Sequence, residues 1–240
     1  GSKRSQFFCL RILDDILHYQ RVGDGLTREK YAVEPGTYCG LLMLFSTANA
    51  EMLSIMPDGR VMLLTSANFM TDDGQYLTRS PRVCFSDDGV SYTAPARCLA
   101  EDHWLWRATW HEGVAYSVSK LGIGSNPRRG FLYSTADGLD WTYITEFILP
   151  NDTWTASETT VRIMPDGEMI ALIRPDWIGS SHPPYRDWSF AQIEASLGGP
   201  NFISVPERGL WASARGKGED GKAATIPARM TRTSYEPALI

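Results

Sequence analysis

A strand–turn–strand unit returns along this chain with a period of about 48 residues, and no other feature limits the possible folds as much. Ser54–Leu64 (SIMPDGRVMLL) reappears 108 residues later as Arg162–Leu172 (RIMPDGEMIAL). Ala108–Tyr116 (ATWHEGVAY) lies between them, and a worn copy runs over Phe202–Trp211 (FISVPERGLW). Each reads as two short apolar runs about a tight turn. The Asp-Gly or Glu-Gly pair supplies the positive φ that a two-residue hairpin needs. A second element is interleaved: Ser86-Asp87-Asp88-Gly89-Val90-Ser91-Tyr92 matches Thr135-Ala136-Asp137-Gly138-Leu139-Asp140-Trp141. Degenerate copies end at Trp188 and Tyr235, so the aromatic ends at 92, 141, 188 and 235 are 49, 47 and 47 residues apart.

Two hairpins per period make a four-stranded sheet, and such sheets repeated about an axis make a β-propeller whose neighbouring blades bury one another's faces. The expectation is an all-β chain forming one domain over 1–240, with approximate blades 1–50, 51–98, 99–150, 151–200 and 201–240. A β-sandwich with coincidental hairpins is the rival, and the near-constant period speaks against it.

Composition narrows the function. With 23 basic and 28 acidic residues in 240, the net charge of −5 argues against nucleic acid as a partner, because phosphate binding needs a basic face. No apolar run approaches the roughly 18 residues of a membrane span, so no membrane partner is expected. The N-terminal stretch does not read as a signal peptide, since Arg11, Asp14 and Asp15 break any apolar core. Localisation stays open between cytoplasmic and secreted. Cys9, Cys39, Cys84 and Cys98 lack metal-ligand spacing and read as reduced, partly buried thiols, with a Cys84–Cys98 bridge as the alternative. Neither a metal nor a cofactor is expected.

The seven-residue element resembles the Asp-box, or BNR repeat, of the sialidase (neuraminidase) superfamily: Ser86, Asp88, Gly89 and Tyr92 in one copy, Thr135, Asp137, Gly138 and Trp141 in the other. The box is a structural turn in which the Asp and the hydroxyl bond backbone N–H groups, so it supports the fold rather than the chemistry. A second likeness is more informative. Ser157–Arg174 resembles the sialidase segment in which a glutamate opens a blade's innermost hairpin and an arginine closes it, and Glu158 and Arg174 are 16 residues apart. The resemblance covers about residue 51 to the end and implies a six-bladed family, of which about five blades are visible here.

What the resemblance implies chemically is an exo-glycosidase for a terminal acidic sugar. Guanidinium forks hold the sugar's carboxylate. A tyrosine is the nucleophile, a glutamate its base, and an aspartate protonates the leaving oxygen. By that likeness Glu158 is the catalytic candidate and Arg174 a substrate-binding one, the alternative being a pair that merely bridges strand ends. Arg107 and Arg215 are further substrate-binding candidates; for Arg107 the alternative is a solvated arginine stacked on Trp106 or Trp110. Trp104, Trp106 and Trp177 read either as a sugar platform or as core. His103 and His111 show no partner spacing.

The departures from the family are specific. No Arg-Ile-Pro motif appears near the N-terminus, and the acid aspartate is not separable among Asp14, Asp15, Asp24, Asp72 and Asp73. Closure is expected to fall about one blade short, which points to a truncated or divergent member with an open edge suited to self-association. Two rivals follow: a non-catalytic propeller binding glycan or protein, and a propeller glycosidase acting on neutral sugar through two carboxylates.

Overall fold

The computed structural model describes residues 52–70, 76–122, 129–150, 156–218 and 221–238. Every regular element among them is a strand. The first sheet comprises β1 (Met52–Ile55), β2 (Val61–Met70), β3 (Tyr76–Ser86) and β4 (Ala96–Arg97). In the second, β5 (His103–Leu105) and β6 (Thr109–His111) are two pieces of one interrupted inner strand; both pair with β7 (Val114–Leu121), followed by β8 (Arg129–Thr135) and β9 (Thr142–Phe147). The third holds β10 (Thr159–Ile163), β11 (Met169–Ile173), β12 (Trp177–Ser181) and β13 (Ser189–Gln192). The fourth holds β14 (Gly198–Val205), β15 (Gly209–Lys217), β16 (Ala223–Met230) and β17 (Tyr235–Pro237). All pairings are antiparallel and run in chain order. The chain is an all-β propeller of four-stranded blades, four of them among the described residues. The stretch 1–50, read above as a first blade, lies outside those residues.

Side-chain alternation explains why the blades stack. All five residues of β11 are buried. Met169, Ala171 and Ile173 join Val118, Leu132 and Phe147 of the second sheet, while Ile170 and Leu172 join Phe202, Ala212 and Met230 of the fourth. Successive side chains of a strand point to opposite faces, so a strand between two blades must be apolar at every position. The first and second sheets share a third core of Met62, Leu64 and Val83 against Leu105, Trp106 and Ala115.

The interleaved elements occupy one architectural place. Residues 86–92, 135–141, 181–188 and 231–235 link the third strand of each sheet to the fourth. In the first, Asp88 Oδ1 accepts from the N–H groups of Val90 (2.8 Å) and Ser91 (2.7 Å), and Ser86 Oγ from that of Gly89 (2.8 Å). In the second, Asp137 Oδ1 accepts from Leu139 and Asp140 (2.8 and 2.9 Å), and Thr135 Oγ1 from Gly138 (2.9 Å). These N–H donors hold the Asp88 carboxyl well down, at about 2, and lower that of Asp137. Trp141 and Trp188 each donate their indole N–H to the carbonyl three residues earlier, Gly138 and Tyr185.

The inner hairpins correct one expectation. Only Glu112-Gly113 forms a two-residue turn with both residues at positive φ (48° and 83°). The two Pro-Asp-Gly copies form three-residue loops instead. Met56 N–H bonds Arg60 O, Gly59 N–H bonds Met56 O, and Met164, Glu168 and Gly167 repeat the pattern. Proline is the cause: its φ is locked near −65°, which suits the first corner of a type I turn and forbids the positive φ that a two-residue hairpin demands there. Glycine then takes the left-handed position, Gly59 at 88° and Gly167 at 82°.

Candidate functional site

The inner hairpin of the third blade brings two predicted residues together. Thr159 pairs with Ile173, so Glu158 and Arg174 face each other at its open end. Arg174 Nη1 donates to Glu158 Oε1 at 2.6 Å, and Arg174 N–H to Glu158 O at 3.1 Å. The pair is asymmetric: the Glu158 side chain is 13% exposed and that of Arg174 39%.

A second donor comes from the next blade. Gly199 N–H reaches Glu158 Oε2 at 2.7 Å. It is free to do so because β14 is irregular between Gly198 and Asn201, which turns that amide out of its own ladder. Gly199 has φ 56°, in the left-handed region. Both Glu158 oxygens are thus engaged by donors, an arrangement that fixes the direction of the carboxylate. Arg215 is in register with Gly198, beside this contact, and its side chain is exposed. Its Nε would stand 3.1 Å from a Cβ added at Gly198, which is one reason for glycine there. Asp176, in the turn that follows Arg174, accepts from Gln192 through Oδ2 (2.8 Å), while its buried Oδ1 has no partner among the described residues.

Arg107 lies elsewhere, in the gap between β5 and β6. Nothing among the described residues bonds it to Glu158 or Arg174. Its Nε is buried without a hydrogen-bond partner among the described residues, and burial pulls its pKa down.

Arg162, on β10, is the residue that the sequence alone does not single out. Nη1 donates to Thr109 Oγ1 and to Val161 O (3.1 Å), Nη2 to Asn201 Oδ1 (3.0 Å), and Nε to Phe202 O (3.2 Å). One guanidinium therefore ties together the inner strands of three blades, β6, β10 and β14. All its acceptors are uncharged. Burial chiefly, and then the charge of Arg107, push its pKa down to about 10.

The other candidates resolve as structure. Trp106 and Trp177 are 4% exposed and belong to the core, not to a sugar platform. Trp104 meets Trp106 edge-on at 5.1 Å and carries the buried Arg79 over its face at 5.3 Å. His103 is buried and bonds Ser119 Oγ through Nδ1 at 2.9 Å. Cys84 and Cys98 are free, buried thiols, raised to about 11 and about 12 mainly by desolvation. Among the described residues no three His, Cys, Asp or Glu side chains are grouped to hold a metal ion. Asp14, Asp15, Asp24, Asp72 and Asp73, the acid candidates, lie outside the described residues.

No protein-family model matches the chain, and no curated protein matches it. Solved structures do. A protein of unknown function from Dyadobacter fermentans superposes with a TM-score of 0.61 at 14% identity, over 74% of this chain and 59% of that one. A GH32 β-fructofuranosidase of Bombyx mori gives 0.54 at 15%, over 80% and 50%. An endo-arabinase from Bacteroides thetaiotaomicron gives 0.56 at 12%, over 74% and 73%. The fold is propeller glycosidase-like. At such identities the likeness speaks for fold alone and lends no support to a sialidase assignment in particular. The chain spans less than two thirds of the first two structures it matches.

Proposed function

We propose that this chain forms all or part of a glycoside-hydrolase-type propeller that takes a carbohydrate at the open end of the third blade's inner hairpin. Glu158 is its working carboxylate, and Arg174 and Arg215 are sugar-binding residues beside it. The observation that carries the reading is the setting of Glu158: largely buried, at the start of an inner strand, and aimed by two donors from different elements. A carboxylate held in this way keeps its direction when a substrate arrives. The segments 86–92 and 135–141 are read as Asp-box turns that brace the blades.

The preferred substrate is a terminal acidic sugar, in line with the sialidase resemblance of residues 157–174 and the arginines that flank Glu158. A neutral sugar is the second reading. It is favoured by the similarity to structures titled β-fructofuranosidase and endo-arabinase, and it needs a second carboxylate near Glu158.

The test is hydrolysis of a fluorogenic sialoside beside neutral aryl arabinosides, galactosides and fructosides. Turnover of the sialoside that falls by at least about a hundredfold in Glu158→Gln supports the acidic reading. Turnover of neutral glycosides alone, with the same loss, supports the second. Activity untouched by Glu158→Gln, or glycan binding with no turnover, overturns the catalytic assignment and leaves a binding propeller.

A further inference from the structure

The outer two strands of the second blade carry a second cluster, away from Glu158. Regular alternation would put Tyr143 and Glu146, three residues apart on β9, on opposite faces. The β8–β9 ladder is irregular instead. Phe131 pairs with Glu146 and Leu132 with Thr145, but Tyr133 pairs with Tyr143, so Ile144 is an extra residue. This bulge re-aims Tyr143 and places it with Glu146 on the face that Phe131 and Tyr133 share.

The contacts on that face are direct. Arg129 donates through Nε to Glu146 Oε1 at 2.7 Å and through Nη2 to Oε2, a two-pronged pair. Its Cζ stands 4.9 Å from the centroid of the Phe131 ring, and the Tyr143 ring lies 6.1 Å from the same centroid. The ion pair and Tyr143 thus flank one buried side chain, within the span of one or two sugar rings. Tyr143 meets Phe131 and Tyr133 at 59° and 73°, so neither is stacked flat on it, and it is 54% exposed.

An open aromatic ring beside a fixed polar pair matches the two sides of a sugar. The C–H face lies against the ring, and the hydroxyls both donate and accept. Arg129 spends two of its five N–H donors on Glu146, and each Glu146 oxygen meets one described donor with room for another. Donors and acceptors therefore stand side by side. Because the guanidinium fork is closed on Glu146, it is not open to a carboxylate, and the neutral pair suits an uncharged ligand.

We propose that Tyr143, Arg129 and Glu146 form a surface binding site for a neutral glycan chain, which it holds rather than cleaves. The carbohydrate context rests on the function proposed above, but the site uses none of the residues assigned there.

The experiment is affinity electrophoresis of the 240-residue chain in gels containing arabinan, β-galactan, levan, polygalacturonate or no polysaccharide. Retardation is expected in at least one neutral polymer and not in polygalacturonate. Tyr143→Ala should weaken it by about fivefold to tenfold, while Tyr143→Phe, which keeps the ring, should retain it. Arg129→Ala combined with Glu146→Ala removes the polar side without leaving a lone charge, and should weaken it as well. Glu158→Gln should bind as the parent does, so a failed hydrolysis test leaves this site standing. Retardation unchanged in Tyr143→Ala, retardation by polygalacturonate alone, or retardation by none of the neutral polymers overturns the site. An equal loss in Glu158→Gln and Tyr143→Ala overturns it too, as does gel filtration in which Tyr143→Ala abolishes a dimer, since the patch is then a contact between copies of the chain.

Discussion

Glu158 and Arg174 close the open end of one hairpin, yet Glu158 is held equally from the neighbouring blade by the Gly199 amide. The carboxylate therefore bridges the third and fourth blades, while the arginine reaches solvent from the third alone. This asymmetry separates what the two residues contribute. Glu158 loses most of its hydration and depends on both donors; Arg174 is exposed enough that water compensates for much of its loss.

Arg174→Ala is accordingly expected to cost little stability, about 1 kcal/mol or less after allowance for its exposure. Arg174→Lys should be closer to neutral, since one ammonium can still reach Glu158 Oε1. Urea unfolding midpoints check both. If Arg174 binds sugar, the two variants should differ far more in substrate KM than in stability, because an ammonium cannot replace the guanidinium fork.

The two Asp-Gly turns carry a paired prediction. Gly89 and Gly138 both sit at positive φ, 72° and 81°, where an L side chain is strained. A Cβ on Gly89 would meet nothing within 4 Å, whereas on Gly138 it would stand 2.6 Å from Met62 Sδ and 3.0 Å from Phe85 Cε1 of the first blade. Gly89→Ala should cost about 1 kcal/mol, from the backbone alone. Gly138→Ala should cost about 1–3 kcal/mol more, for overpacking where two blades meet. Chemical denaturation of both variants measures the difference.

These contrasts show which features were readable from the chain. Local periodicity exposed the hairpins, the recurrent third-to-fourth-strand turns and the blade architecture, because each depends on residues within a few positions of one another. The Glu158–Arg174 pairing was readable for the same reason, being fixed by one hairpin's register. The partners of Arg162 were not: Thr109 is 53 residues away and Asn201 is 39, and nothing local marks an arginine whose acceptors sit on other blades. The Gly199 amide was hidden likewise, since it is available only through an irregularity of β14. The turn at Pro57-Asp58-Gly59 departs from the two-residue hairpin that Asp-Gly alone predicts, because the proline before it decides the loop length.

His103 predicts a pH dependence. Desolvation lowers its pKa below the ordinary 6.5; the Arg79 charge adds to this and Asp102 opposes it. The folded state therefore keeps His103 neutral where the unfolded chain binds a proton. Its contribution to stability is complete above about pH 6.5 and diminishes as the pH falls through the range below that. Unfolding midpoints should thus decline from about pH 7.5 to about pH 5.5, and His103→Gln should flatten that slope. An unchanged slope in the variant would place the dependence on other groups.

Arg162→Met isolates the brace across three blades. The substitution relieves the burial of a charge, but it removes the Arg162 donors from Phe202 O and Asn201 Oδ1, while Val161 O keeps the Thr109 hydroxyl at 2.6 Å. Hydrogen bonds to charged groups contribute more than neutral ones, and buried acceptors left unmade cost their full desolvation, so a net loss of about 2–3 kcal/mol is expected. Arg162→Lys should recover only part of it, because a single ammonium cannot reach β6 and β14 together. Thermal unfolding gives the size of the loss. Hydrogen exchange gives its location: faster exchange should appear at both β10 and β14, as it would if the arginine couples the two blades, whereas faster exchange at β10 alone would mean that the cross-blade bonds contribute nothing.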